Sequence, residues 1–165
     1  MAPSTSTDST EDADLRTIAD YQFGAGVGDA LFPAGESRRI ERTTSGRPQQ
    51  IHADGGRLVS FGTDGRFTLG LEGGRRLTEA LEPPAYRVVV GDESEPFVRD
   101  GKNVFSKFVT EAGDSIRAGD DVVVVHERGD VLAVGRAELD GRSLLEFETG
   151  MAVSVRSGVG TVDEE

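Results

Sequence analysis

Asp100-Gly-Lys-Asn-Val-Phe-Ser-Lys-Phe-Val109 is the stretch on which the reading of this chain turns. It holds Lys102 and Lys107, the only two lysines in a protein whose other sixteen Lys/Arg positions are arginines. Gly101 permits a tight backbone turn that other residues resist. After it, Val104, Ser106 and Phe108 alternate with Phe105, Lys107 and Val109, which predicts an extended strand over Lys102 to Thr110 with two distinct faces. Two readings of the loop stand side by side. It is a glycine turn before a half-buried strand, or it offers backbone amides and ammonium groups to a phosphate chain.

Working outward, the 165 residues suffice for one ordinary domain or two small ones. No apolar run is long enough to cross a membrane, and the Ser/Thr/Asp-rich segment from Met1 to Asp14 reads as neither a signal nor a transit peptide. Cysteine is absent, so disulfides and thiolate metal sites are excluded, and a cytoplasmic location is expected. Thirty acids face eighteen bases, giving a net charge of −12. An acidic, lysine-poor, glycine-rich composition matches proteins of halophiles, where net charge bears on solubility rather than fold. Seven of the twelve net charges lie in two tails: Asp8, Glu11, Asp12 and Asp14 at one end, Asp163, Glu164 and Glu165 at the other.

Residues 1–13 contain too little apolar surface to fold and are expected to be a disordered acidic tail. A helix is predicted from Asp14, which can cap it, with Leu15, Ile18, Ala19 and Phe23 at helical spacing. Gly24, Gly26 and Gly28 then break it. Short strands are predicted over Arg38–Thr43, Gln49–Ala53, Arg57–Gly62 and Arg66–Leu71, with Asp54-Gly55-Gly56 as a hairpin turn. A helix over Gly74–Leu81 closes an α+β domain spanning 14–82, and Pro83-Pro84 forms a stiff link. From residue 85 to 158 the pattern becomes mainly β with short helices: Tyr86–Val90, a helix over Asp92–Arg99, a pair at Val122–His126 and Val131–Leu139, a helical turn at Arg142–Phe147 and a last strand at Met151–Arg156. Many short apolar strands favour a closed or nearly closed barrel, because open edges would be left unpaired. Residues 159–165 form a second acidic tail.

Catalytic signatures are missing. The GxGxG at Gly24–Gly28 follows no apolar strand, so no dinucleotide fold is indicated. Gly101-Lys102 precedes Asn103 rather than Ser or Thr, and position 96 is Pro where a phosphate loop needs Gly. His52 and His126 fall in no metal-ligand spacing, and no serine sits in a GxSxG elbow. His126-Glu127 reads as a solvated turn pair. A non-enzymatic protein without a cofactor is the expectation.

The second half resembles the PUA family, named for pseudouridine synthases and archaeosine transglycosylases. The resemblance rests on Gly101-Lys-Asn-Val-Phe105, Val109, Ile116, Gly119-Asp120, Val122, Val124, Ala133-Val-Gly135, Ala137 and Gly150-Met-Ala-Val153, which occur in order. In the first half, Ala19-Asp-Tyr-Gln-Phe-Gly24, Gly28, Ala30-Leu-Phe-Pro33, Phe67-Thr-Leu69 and Gly73-Gly-Arg-Arg-Leu77 resemble the domain preceding PUA in archaeal tRNA-guanine transglycosylases. The catalytic barrel of that family, with its active-site aspartates and zinc ligands, has no counterpart here.

The resemblance implies a PUA pseudo-barrel that binds structured RNA, most plainly the acceptor stem and 3′ CCA end of tRNA, and a link to a tRNA-modifying enzyme. Carried onto matching positions, the RNA-binding residues are Arg99, Gly101, Lys102, Asn103, Phe105, Lys107 and Arg156. Lysine, arginine and loop amides suit phosphate, and an exposed Phe105 would stack on an unpaired base, although Phe105 also fits the core. With about three phosphate contacts and a slope of roughly −0.7 per contact, raising salt from about 0.1 M to about 3 M weakens binding about a thousandfold. Shape, 2′-OH hydrogen bonds and stacking must then carry the affinity. A further arginine group, Arg38, Arg39, Arg42, Arg75 and Arg76, reads either as a second basic patch or as ordinary surface charge. The alternative function is a protein–protein adaptor that uses the PUA fold as scaffold.

Overall fold

A computed structural model describes residues 9–62, 64–147 and 149–160, with side chains from residue 11 onward. The chain divides into two compact units between Ala80 and Leu81.

In the first unit, helix α1 (Ser9–Phe23) buries Leu15, Ala19 and Phe23, which recur every four residues along one face. It begins five residues before the expected cap, and Asp14 is an exposed residue within it. The physical reason is long-range: Glu11 accepts hydrogen bonds from Arg42 at 2.9 and 3.0 Å, and Asp12 pairs with Arg38 at 3.0 Å. Acidic residues that could not order themselves are ordered by these arginines. Residues 1–8 of the expected tail lie outside the described residues.

A second short helix, α2 (Val27–Leu31), packs on α1 so closely that a Cβ on Gly28 would sit 2.4 Å from the Arg16 carbonyl oxygen. Gly28 is therefore a packing position, whereas Gly24 and Gly26, with φ of +127° and +90°, form the turn between the two helices. An antiparallel meander follows: β1 (Arg39–Arg42), β2 (Pro48–Ala53), β3 (Gly56–Phe61) and β4 (Phe67–Leu69). Its register aligns Ile40, Ile51, Val59 and Leu69 into one fully buried row. Leu71 belongs not to β4 but to helix α3 (Leu71–Ala80), which starts three residues earlier than predicted. Gly73 and Gly74 are buried in α3 with Leu77, so tertiary contact overrides their poor helix propensity.

The second unit orders its strands β6-β10-β9-β8-β5-β7. These are β5 (Arg87–Val90), β6 (Val104–Phe105), β7 (Val109–Ala112), β8 (Asp121–His126), β9 (Val131–Ala137) and β10 (Met151–Gly158). Only the β5–β8 pair is parallel among them. Val88, Val90, Val122, Val124, Leu132 and Val153 fill the interior, with Leu144 from helix α5 (Gly141–Glu146) and Val98 from helix α4 (Glu95–Arg99). Asp92–Ser94, expected as the start of α4, form a turn before it.

The expected strand from Lys102 to Thr110 is not continuous. Val104–Phe105 pair with β10, Ser106–Phe108 form a 3-10 turn, and Val109–Ala112 pair with β5. β6 and β7 are the two outer strands of the sheet, so three residues tie its ends together and make the pseudo-barrel. The expected alternation holds in the first half, where Val104 and Ser106 are buried and Phe105 and Lys107 are exposed. Beyond the 3-10 turn it reverses, because Val109 packs against the core and Phe108 lines the outer groove.

Candidate nucleic-acid interface

Helix α4 ends in the loop that opens the decisive stretch. Gly101 has φ of +91°, the left-handed conformation favoured by glycine; its N–H donates to the Val98 carbonyl at 2.9 Å, and the Lys102 N–H donates to the Phe97 carbonyl at 3.0 Å. These two bonds form a Schellman cap. Both amides are thus taken by the helix end, and the reading in which they face phosphate oxygens does not hold. What the loop presents is a side chain. Lys102 is two-thirds exposed, with its Nζ 3.8 Å from the Asp100 carboxylate.

The other residues carried over from the resemblance separate into two groups. Asn103 Oδ1 accepts the Val155 N–H at 2.9 Å, fastening the loop to β10. Arg99 donates from Nε to Glu95 at 3.0 Å and from Nη1 to the Gly160 carbonyl at 3.3 Å. Glu95 also accepts from Arg128, and the bonds from Arg128 and Arg99 hold its carboxyl down to about 2. Arg156 reaches Asp121 on β8 with both Nη atoms. Arg99, Gly101, Asn103 and Arg156 therefore build and brace the surface. Lys102, Phe105 and Lys107 are left facing outward, with Lys107 Nζ 5.1 Å from the centre of the Phe108 ring.

Phe105 is 48 % exposed, which removes it from the core. Beside it lies Phe97 of α4, 61 % exposed, and the two line a groove of about 420 Å³ together with Val98, Val104, Lys102 and Phe108. Glu93 stands at the same groove. Met151 pairs with Phe105 across β10 and β6 and extends the apolar surface. Phe97 was missed by reasoning from the sequence. The signal lay in its position: Val98 is the inward residue of a five-residue helix, so its neighbour must point elsewhere. An apolar groove with two aromatic walls and an ammonium group on its rim suits a flat base bearing a phosphate.

His126 is not a solvated turn residue but is 6 % exposed. Its Nδ1 accepts the Arg128 N–H at 3.0 Å, so the ring proton sits on Nε2 and is donated to Asp92 at 2.6 Å. Glu95 is the third member of this cluster of possible ligands. With both ring nitrogens and Glu95 engaged by protein partners, the cluster serves as a latch between β8 and the turn before α4. In the first unit the arginine group is likewise engaged. Arg38 meets Asp12, Arg39 meets Glu41, Arg42 meets Glu11, Arg75 meets Glu72, and Arg76 is held by Glu36 at 2.7 Å and Glu72 at 3.2 Å. Arg76 in turn holds the Glu36 carboxyl below its usual range.

Comparison with known proteins gives the family. Residues 13–84 match the patch-forming domain C2 of tRNA-guanine transglycosylase, and residues 86–159 match the PUA domain. The chain is a C2–PUA protein. Its curated relatives are archaeal: the tRNA-guanine(15) transglycosylase of Pyrococcus furiosus is 45 % identical over 146 residues, covering 88 % of this chain and 24 % of that protein. The Thermococcus kodakarensis protein of that name is 48 % identical over 146 residues, covering 88 % and 25 %. The C2–PUA chain thus spans about a quarter of the length of the relatives it matches, their C-terminal part. Among solved structures, a conserved PUA domain protein from Thermoplasma acidophilum has a TM-score of 0.67 at 20 % identity, covering 98 % of this chain and 96 % of that one. A hypothetical protein from Pyrococcus horikoshii has a TM-score of 0.69 at 18 % identity, covering 94 % of each. At these identities the likeness is one of fold. No helix among the described residues is long and apolar enough to cross a membrane.

Proposed function

We propose that this C2–PUA chain binds RNA without catalysing a reaction on it, that its ligand is the acceptor stem and 3′ CCA end of a tRNA, and that it acts in tRNA modification. The observation that carries this reading is the groove between Phe97 and Phe105, with Lys102 on its rim, in a chain of net charge −12. An acidic protein that places one of its two lysines beside two exposed aromatic rings has a surface suited to stacked bases and a phosphate. The fold is one that binds RNA, and the relatives are named for a reaction on tRNA. The share of that process assigned here is holding the RNA, with a modifying enzyme as the partner that performs chemistry.

Lys102, Phe105, Lys107 and Phe97 would touch RNA in this reading, while Arg99, Gly101, Asn103 and Arg156 would shape and brace the surface they stand on. The test is binding of labelled tRNA at about molar KCl, with and without its 3′ CCA. It compares the native protein with a Lys102→Ala/Lys107→Ala variant and a Phe97→Ala/Phe105→Ala variant. Weakened binding on removal of the CCA, and in the aromatic variant, is the expected result. Absence of tRNA binding by the folded native protein would favour the adaptor reading, in which the same exposed apolar surface meets a protein.

A further inference from the structure

We propose that the first unit carries a phosphate seat of its own, formed by Arg39, His52 and Arg57 on the face of the sheet opposite its buried row. In the register, Arg39 pairs with His52 across β1 and β2, and His52 pairs with Arg57 across β2 and β3. Arg39 and His52 stand directly opposite one another, and a bulge beside His52, which leaves Leu58 and Val59 both buried, brings Arg57 to its other side, so two guanidinium groups flank one imidazole across three strands. Arg39 and His52 line a groove of about 480 Å³ together with Ser37, Arg38 and Asp54, and Arg57 stands next to His52 along the row.

Three observations make this more than ordinary surface charge. The Nε atom of Arg57 is buried with no hydrogen-bond acceptor among the described residues, a state that costs free energy and that an oxyanion would relieve. Arg57 makes no ion pair among the described residues, whereas most arginines of this unit do. Finally, burial, then Arg39, and more weakly Arg57, keep His52 below the usual histidine range, against the opposing pull of Glu41.

The carboxylates that face it are known. Glu41 lies 2.9 Å from Arg39 and 3.4 Å from His52, Asp54 is on the groove wall, and Arg38 is shared with Asp12 and Glu36. A phosphoryl group would take over Arg39 from Glu41, an exchange to which the forked guanidinium is suited. It would also draw a proton onto His52. The oxygens could come from an RNA backbone or from free phosphate. Assignment to RNA rests on the reading above; the seat itself does not.

His52 and His126 are the only histidines, so proton NMR gives one reporter at the seat and one control in the other unit. At constant ionic strength, replacing chloride with inorganic phosphate is expected to shift the His52 ring signals saturably and to raise the pH of its titration. His126, held by Asp92 and Arg128, is expected to stay put. Arg57→Gln should abolish the His52 response while unchanged methyl signals of the buried Ile40 and Ile51 report that the first unit remains folded. Equal movement of both histidines, no saturable movement, or an undiminished response in Arg57→Gln overturns the seat. Displacement of the phosphate signal by tRNA assigns the seat to the RNA backbone, and saturation without displacement overturns that link. Phe97→Ala/Phe105→Ala should leave the phosphate response intact, which separates failure of the RNA groove from failure of the seat.

Discussion

Arg156 on β10 holds Asp121 on β8 through both guanidinium nitrogens, at 3.1 and 2.6 Å, and Asp121 is only 6 % exposed. Removing the cation leaves a buried carboxylate without its principal partner. Arg156→Ala is therefore expected to lower stability by about 1 to 3 kcal/mol. Urea unfolding at fixed KCl measures this. At a protein concentration where the variant remains folded, its tRNA affinity should stay within about twofold of native, and a tenfold loss would return Arg156 to the contact surface.

Gly101 offers a cleaner backbone experiment. A Cβ there would meet nothing within 4 Å, so Gly101→Ala adds left-handed strain and no clash. A loss of about 1 to 2 kcal/mol is expected, and Gly101→Asn should lose less because asparagine tolerates this region. Thermal unfolding of the pair would show the order, and equal losses would point to a contact with the side chain instead.

Glu95 gives a pH dependence with a definite sign. Its carboxyl is held down to about 2 by Arg128 and Arg99, against about 4.3 in an unfolded chain. Its contribution is present in full above the unfolded value and is lost as pH falls from about 4.3 through about 2. Stability in that window should fall less steeply for Glu95→Gln than for the native protein, while at neutral pH the variant should be the weaker of the two. Denaturant midpoints across the acid range test both.

Salt separates charge from stacking in the groove. Lys102→Gln is expected to reduce the slope of log affinity against log salt by about 0.7, with a small effect at molar KCl. Phe105→Ala should cost about 1 to 3 kcal/mol of binding at every salt concentration, since base stacking does not depend on counterion release. Titrations at several KCl concentrations distinguish the two variants.

Much of this architecture was legible in the sequence. The unbroken valine run Val122–Val125, Ile40 between charged neighbours, and the four-residue spacing of Leu15, Ala19 and Phe23 point to the core directly, because burial selects residue type along each element. Alternation reports which way side chains face, not which strand supplies the hydrogen bonds. For that reason the Lys102–Thr110 segment read as one strand although its halves pair with β10 and β5. The early start of α1 was hidden for a related reason: Glu11 and Asp12 are ordered by Arg42 and Arg38, more than twenty-five residues away. At the candidate groove, Lys102 stood out as one of two lysines, and Phe105 entered through the family resemblance. Phe97 did not, because an aromatic in a short helix ordinarily belongs inside.

The 3-10 turn at Ser106–Phe108 acts as the clasp of a hoop, fastened a few residues from Phe105 and Lys102. A molecule seated in that groove would grip the fastening and not a loose flap. Its binding would tighten the ring as a whole, so amide exchange should slow along β10 and β5 alike, including strands that the ligand never touches.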